Sequence, residues 1–124
     1  MEPFSPLSQQ DLPLEIVKGQ TFFLPVTYLD DEGDPIDLSN YTAKMQVRKT
    51  AGPDTDPIIE ASTENALITI TGASGLVEVT IPAGTTAGLT AQLAVYDLFV
   101  YGPSGSPTER ILSGPMKITE SVTK

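Results

Sequence analysis

The chain has no cysteine, no histidine and no tryptophan in its 124 residues. Without cysteine there is no disulfide framework and no thiolate metal site, a composition that suits assembly in a reducing cytoplasm. Without histidine the commonest general base and transition-metal ligand is missing, and with both absent the ordinary nucleophile–base pairs are gone as well. Neither GxGxxG nor GxxxxGK[ST] occurs, so no phosphate-cradling glycine loop is spelled out. A pair of carboxylates can hydrolyse a glycoside, but a sugar cleft wants aromatic platforms and aromatics make up only 6% of the chain. These absences predict a protein that is not an enzyme and that takes no cofactor and no small-molecule substrate.

Positive charge is also scarce. Seven Lys and Arg stand against 16 Asp and Glu, a formal charge of −9. Such a surface repels phosphate backbones and anionic membrane faces, so neither nucleic acid nor membrane is an expected partner. A high net charge keeps a small domain soluble, and an acidic face can also steer a basic partner. No stretch reaches the ~18 apolar residues of a membrane span. Residues 1–12 carry neither the basic start nor the apolar run of a signal peptide. They read as an extended, proline-punctuated arm, with Phe4 and Leu7 as candidate anchors on a neighbouring subunit. Residues 13–124 are the length of one domain.

What the chain does have is a succession of short β-rich runs broken by Gly, Pro, Asp and Asn. Leu14–Val17 is the first. Thr21–Leu29 follows, with Phe22, Leu24, Val26 and Tyr28 on one face. Pro25 in its middle cannot donate a ladder hydrogen bond, which predicts an edge strand or a bulge. Asp30–Pro35 is a turn in which Gly33 can take positive φ. Ile36–Ser39 is expected as a short strand bridging two sheets. Tyr41–Lys49 alternates cleanly, with Ala43, Met45 and Val47 inward and Thr42, Lys44, Gln46 and Arg48 outward. Ile58–Ala61, Leu67–Ile70 and Leu76–Ile81 are three more strands.

The 82–92 segment breaks the alternation, and Thr85–Leu89 is expected as one helical turn capped by Thr85. Leu93–Tyr101 is the longest apolar strand, with Phe99 assigned to the core. A hairpin tip at 102–107 leads into the last strand, Arg110–Thr119. Gly114-Pro115 there predicts a bulge that kinks the strand and makes it a second candidate edge. Sheet edges accept partner strands, so Pro25 and Pro115, with Phe4 and Leu7, are the candidate interface residues.

About eight short strands in this length predict an all-β, two-sheet immunoglobulin-like sandwich of seven to nine strands, with one short helical turn near 85–90. Tyr96, with Leu98 two places on, suits the tyrosine corner of such folds, whose hydroxyl returns to backbone. Two acidic loops are candidate calcium sites. Asp30, Asp31 and Asp34 crowd one turn, and Asp54 and Asp56 another, but neither has the EF-hand spacing. Solvated turn residues are the expected reading, with no metal.

Three stretches carry a family resemblance. One runs from Lys18-Gly19-Gln20-Thr21-Phe22 through Asp30 and Gly33 to Pro35-Ile36-Asp37-Leu38-Ser39-Asn40-Tyr41 and Arg48. The second is Leu76-Val77-Glu78-Val79-Thr80-Ile81-Pro82. The third is Tyr96-Asp97-Leu98 with Arg110-Ile111-Leu112-Ser113-Gly114 and Lys117-Ile118-Thr119. Together they resemble the small β-sandwich domains of tailed-bacteriophage virions, found in collar and tail-fibre attachment proteins and at the N-terminus of baseplate upper proteins.

The resemblance implies a virion structural protein, assembled in the host cytoplasm and present in several copies around a symmetric ring. Its partners would be tail-fibre, head–tail connector or baseplate subunits. The family brings no catalytic residues. The chain stops at Lys124 just after the last strand, which predicts an adaptor with no fibre domain attached. A capsid decoration protein is the nearest alternative, a fibre-assembly chaperone another. A carbohydrate-binding module is the alternative of a different class.

Overall fold

A computed structural model of the chain describes residues 10–50, 56–103 and 108–122, with Gln10 and Asp11 described by backbone alone. Among the described residues nine strands run in order: β1 (Gln10–Asp11), β2 (Leu14–Val17), β3 (Phe22–Thr27), β4 (Thr42–Arg48), β5 (Ile59–Ser62), β6 (Ile68–Thr71), β7 (Leu76–Ile81), β8 (Gln92–Tyr101) and β9 (Thr108–Thr119). A 3-10 turn at Gly72–Ser74 precedes β7, and one short helix, α1 (Ala83–Ala87), precedes β8. The architecture is all-β in two sheets. The larger sheet has the order β1-β9-β8-β4-β5, with β2 also on β9; the smaller is β3-β7-β6.

Alternation explains the core. Inward residues of both sheets meet between them: Met45 and Val47 of β4, Leu98 and Val100 of β8, and Leu112, Met116 and Ile118 of β9 from one side. Leu24, Val26, Val77, Val79 and Ile81 come from the other. All are buried, and each such aliphatic or thioether side chain removed from water contributes about 1.5–3 kcal/mol.

Pro25 does lie on an edge strand. Tyr28 N–H donates to the Gly75 carbonyl at 2.8 Å, so by strand alternation Phe23, Pro25 and Thr27 turn their backbone N–H side to the free edge. Proline therefore removes the middle of three outward donors. That blunts the edge against strand addition rather than offering it.

The last strand departs from expectation. β9 is interior, covered on one side by β8 and on the other by the parallel strands β1 and β2. Its register shift lies between Leu98 and Phe99, which face Leu112 and Arg110 and leave Ile111 as the extra residue. Gly114 and Pro115 pair in register with Tyr96 and Val95. The reason is the N-terminal segment. Ser113 and Thr119 carbonyls accept from Leu12 and Lys18, so Pro115, on the same side by alternation, brings its missing N–H to the break between β1 and β2.

Three smaller expectations also change. Ile36–Ser39 forms no strand. It stays with the small sheet through Ile36 N–H to the Tyr28 carbonyl and Leu38 N–H to the Gly72 carbonyl, with Leu38 fully buried. The helix begins earlier than expected, with Pro82 at its N-cap instead of Thr85. Thr86 is its buried residue, and its hydroxyl accepts from Gly19 N–H at 3.0 Å and sits 2.9 Å from the Gln20 carbonyl. Phe99 lies on the outer face of β8, half-buried and stacked on Tyr101 with centroids 6.1 Å apart. It is one position out of phase with the core residues Leu98 and Val100.

Candidate interaction surface

The outer face of the large sheet is assembled row by row from the strand registers. Lys44 of β4 faces Phe99 of β8, which faces Arg110 of β9. Gln46 lies between Glu60 and Asp97, and Asp97 in turn faces Ser113. Arg48 faces Val95, which faces Pro115, and Leu93 faces Lys117 beside Glu15.

A polar string runs across the middle. Gln46 donates through Nε2 to Glu60 at 2.6 Å and accepts from Arg48 Nη2 at 2.8 Å. Burial pushes the Asp97 carboxyl above the usual aspartate range, against the pull of the Arg110 and Arg48 guanidiniums. Arginine on either side keeps the carboxylate tolerable on a half-buried strand.

At the β2 end of the face the surface turns apolar. A shallow groove of about 470 Å³ is lined by Pro13, Leu14, Leu93, Ala94, Pro115 and Met116, with Glu15 and Lys117 at its rim. Leu93 is 75% exposed, far more than the neighbouring strand residues. A leucine projecting from a strand face beside an apolar groove is the kind of apolar group that a partner covers.

The sequence-predicted residues fall in separate places. Pro115 is exposed on this groove; Pro25 is on the opposite sheet. Phe4 and Leu7 lie outside the described residues, as does Asp54. Tyr96 is core, and its hydroxyl donates to the Leu12 carbonyl at 2.6 Å, joining β8 to the N-terminal segment 84 residues earlier. Gly114 takes φ 154°, and a Cβ there would stand 2.6 Å from the same Leu12 oxygen. Leu98 is fully buried.

Gly33 closes the acidic turn at φ 87°, its N–H bonded to the Asp30 carbonyl. The Asp30 carboxylate accepts from the backbone N–H of Glu32 and Asp34, an arrangement that shapes the turn by itself. Asp31 and Asp34 are exposed beside it. Among the described residues no three acidic groups converge into a metal-sized cluster. At the same end of the sandwich the Tyr28 hydroxyl donates to Glu109, and burial followed by that carboxylate raises the Tyr28 phenol well above its ordinary range.

Two residues escaped the sequence reading: Leu93, named only as the start of an apolar strand, and Leu12, taken as part of an arm. The alternation of β8 already sets Leu93 outward, but only strand pairing reveals that Pro115 and Pro13 flank it.

No family model matches the chain, and no curated protein matches it. Among solved structures, it is similar to the N-terminal domain of phage TP901-1 ORF48, with a TM-score of 0.53 at 8% identity, over 96% of this chain and 94% of that one. At that identity the likeness is one of fold. A family 123 glycoside hydrolase from Clostridium perfringens aligns at TM-score 0.36 and 9% identity, over 92% of this chain and 24% of that enzyme. So low a score carries no argument about activity.

Proposed function

We propose that the chain is a non-enzymatic structural protein of a tailed-phage virion. It acts as an adaptor of collar type that joins the head–tail junction or tail platform to the tail fibres. The observation that carries this reading is the end-to-end likeness to a phage protein domain, which takes in nearly all of both chains. The sandwich itself is read as immunoglobulin-like. The orders β3-β7-β6 and β9-β8-β4-β5 correspond to strands B-E-D and G-F-C-C′, with the first strands laid on the last strand.

An adaptor works by contact, and the outer face of the large sheet supplies one: strand-borne, with an exposed leucine, stacked aromatics and charges of both signs. Its partners are other virion proteins, and it serves in several copies. The N-terminal arm, through Phe4 and Leu7, extends that contact to a neighbour.

Mass spectrometry of purified virions tests the reading. The protein is expected in the particles at multiple copies, and its absence from them would overturn the assignment. Gold labelling should mark the tail or neck; label spread over the head would replace the adaptor with a decoration protein.

A further inference from the structure

We infer that the apolar groove beside Leu93 receives the N-terminal arm of a neighbouring copy, with Phe4 and Leu7 as its anchors. The inference rests on the multi-copy reading above and names where the arm goes. The groove is half of the argument. Leu93, Pro13 and Pro115 are exposed on it, and Leu93 keeps 75% of its surface in water. Proline at two of its walls removes backbone N–H groups, so the groove offers little to an added strand. It suits a segment that binds through apolar side chains and needs no ladder of hydrogen bonds. Polyproline II is such a conformation, with no internal hydrogen bonds and a known use in docking proline-rich segments into grooves.

The arm supplies the match. Pro3-Phe4-Ser5-Pro6-Leu7 repeats a proline and a large apolar residue at a spacing of three. Three residues make one turn of polyproline II, so this spacing sets Phe4 and Leu7 on one side, about 9 Å apart. The rows that build the groove, Leu93 with Lys117 and Val95 with Pro115, are two residues apart along the strands, a comparable span of about 7 Å. Charge agrees. Residues 3–10 carry none, so the arm approaches a molecule of formal charge −9 without repulsion, and Glu2 is left to meet Lys117 at the rim. The direction of β1 decides whose arm it is. Gln10 pairs with Leu112 and Asp11 with Ser113, in parallel, so the residues before Gln10 arrive from the Ile111 end of β9. The groove lies the other way, at Pro115 to Lys117. A copy's own arm would have to double back to fill it, whereas nine residues reach up to about 30 Å, enough to cross to the next copy. Each copy gives one arm and receives one, which closes as a reciprocal pair or repeats around a ring.

The chain has no cysteine, so two single-cysteine variants of the full chain test the contact. Phe4→Cys and Leu93→Cys are mixed in equal amounts, allowed to oxidise, and the linked species are counted by intact mass. With one cysteine per chain, no link can form within a chain, and a disulfide needs the two Cα atoms within about 7 Å. The mixed disulfide is expected to outnumber the two like-with-like disulfides together. A random share of each, which is also the result if every arm docks on its own copy, would overturn the inference. Sedimentation velocity over a concentration series is the second measurement. Wild type is expected to self-associate, and F4A/L7A and L93K each to weaken this by about tenfold or more while melting like wild type, since both remove an apolar anchor. Mixing the two variants should restore association, because the intact arm of one then meets the intact groove of the other. Wild type monomeric at every concentration, or either variant associating like wild type, would also overturn the inference. Absence from virions would remove the adaptor reading and leave the cross-link standing; a random share of disulfides would remove the groove contact and leave the adaptor.

Discussion

At the scale of single residues, two side chains in β8 have opposite relations to the fold. Tyr96 is buried, and its hydroxyl reaches across to the Leu12 carbonyl. Tyr96→Phe keeps the ring and loses that bond, so equilibrium unfolding should show a loss of about 1–2 kcal/mol, the worth of a buried hydrogen bond plus an orphaned acceptor. An unchanged midpoint would reduce Tyr96 to core filler.

Asp97 is the reverse case. Burial raises its carboxyl pKa despite Arg110 and Arg48. A carboxylate that binds its proton more readily folded than unfolded weighs against folding once both states are ionised. That penalty is full at neutral pH, shrinks as pH falls through the raised pKa, and is gone below the unfolded value. Asp97→Asn should therefore melt higher than wild type at neutral pH, with the gap closing on acidification. A gap that stays constant from neutral to acid pH would contradict the assignment of the raised group.

At the scale of elements, the N-terminal strands and β9 explain one another. β2 lays Ile16 into the core with no exposed surface, and Gly114 exists where the Leu12 backbone passes too close for a Cβ. The arm and the strand should separate on truncation. Deleting residues 2–9 should leave the melting temperature within a degree or so of wild type while incorporation into particles fails. Ile16→Ala, which empties a buried position, should cost about 2–5 kcal/mol. Full incorporation of the truncated chain would dismiss the arm as a contact. The strands themselves were legible: Tyr41–Lys49 and Leu76–Ile81 alternate without ambiguity, because a half-buried strand must. The order of pairing was not, and the misplaced bulge shows why. Gly114-Pro115 is as good a signal for accommodating a third backbone as for a bulge, and local sequence cannot say which neighbour arrives.

At the scale of the whole molecule, the charge of −9 looks uniform when read along the chain, yet the fold divides it. Lys44, Arg48, Arg110 and Lys117 are spread over more than 70 positions of sequence and come to one face of the large sheet, on the two strands that flank β8. The virion experiments act at this scale, on where the protein sits in the particle.

By itself the sequence determined the all-β class, the inward set of Tyr41–Lys49, the choice between edge and bulge at Pro25 and the turn at Gly33. These depend on period-two alternation and on backbone limits of individual residues, which are local. Only the tertiary structure decided that β9 is interior, that Tyr96 holds Leu12, that Phe99 faces out and that four cations share one face. Those depend on which strands pair and in what register, and strand pairing joins residues through hydrogen bonds that any backbone can make.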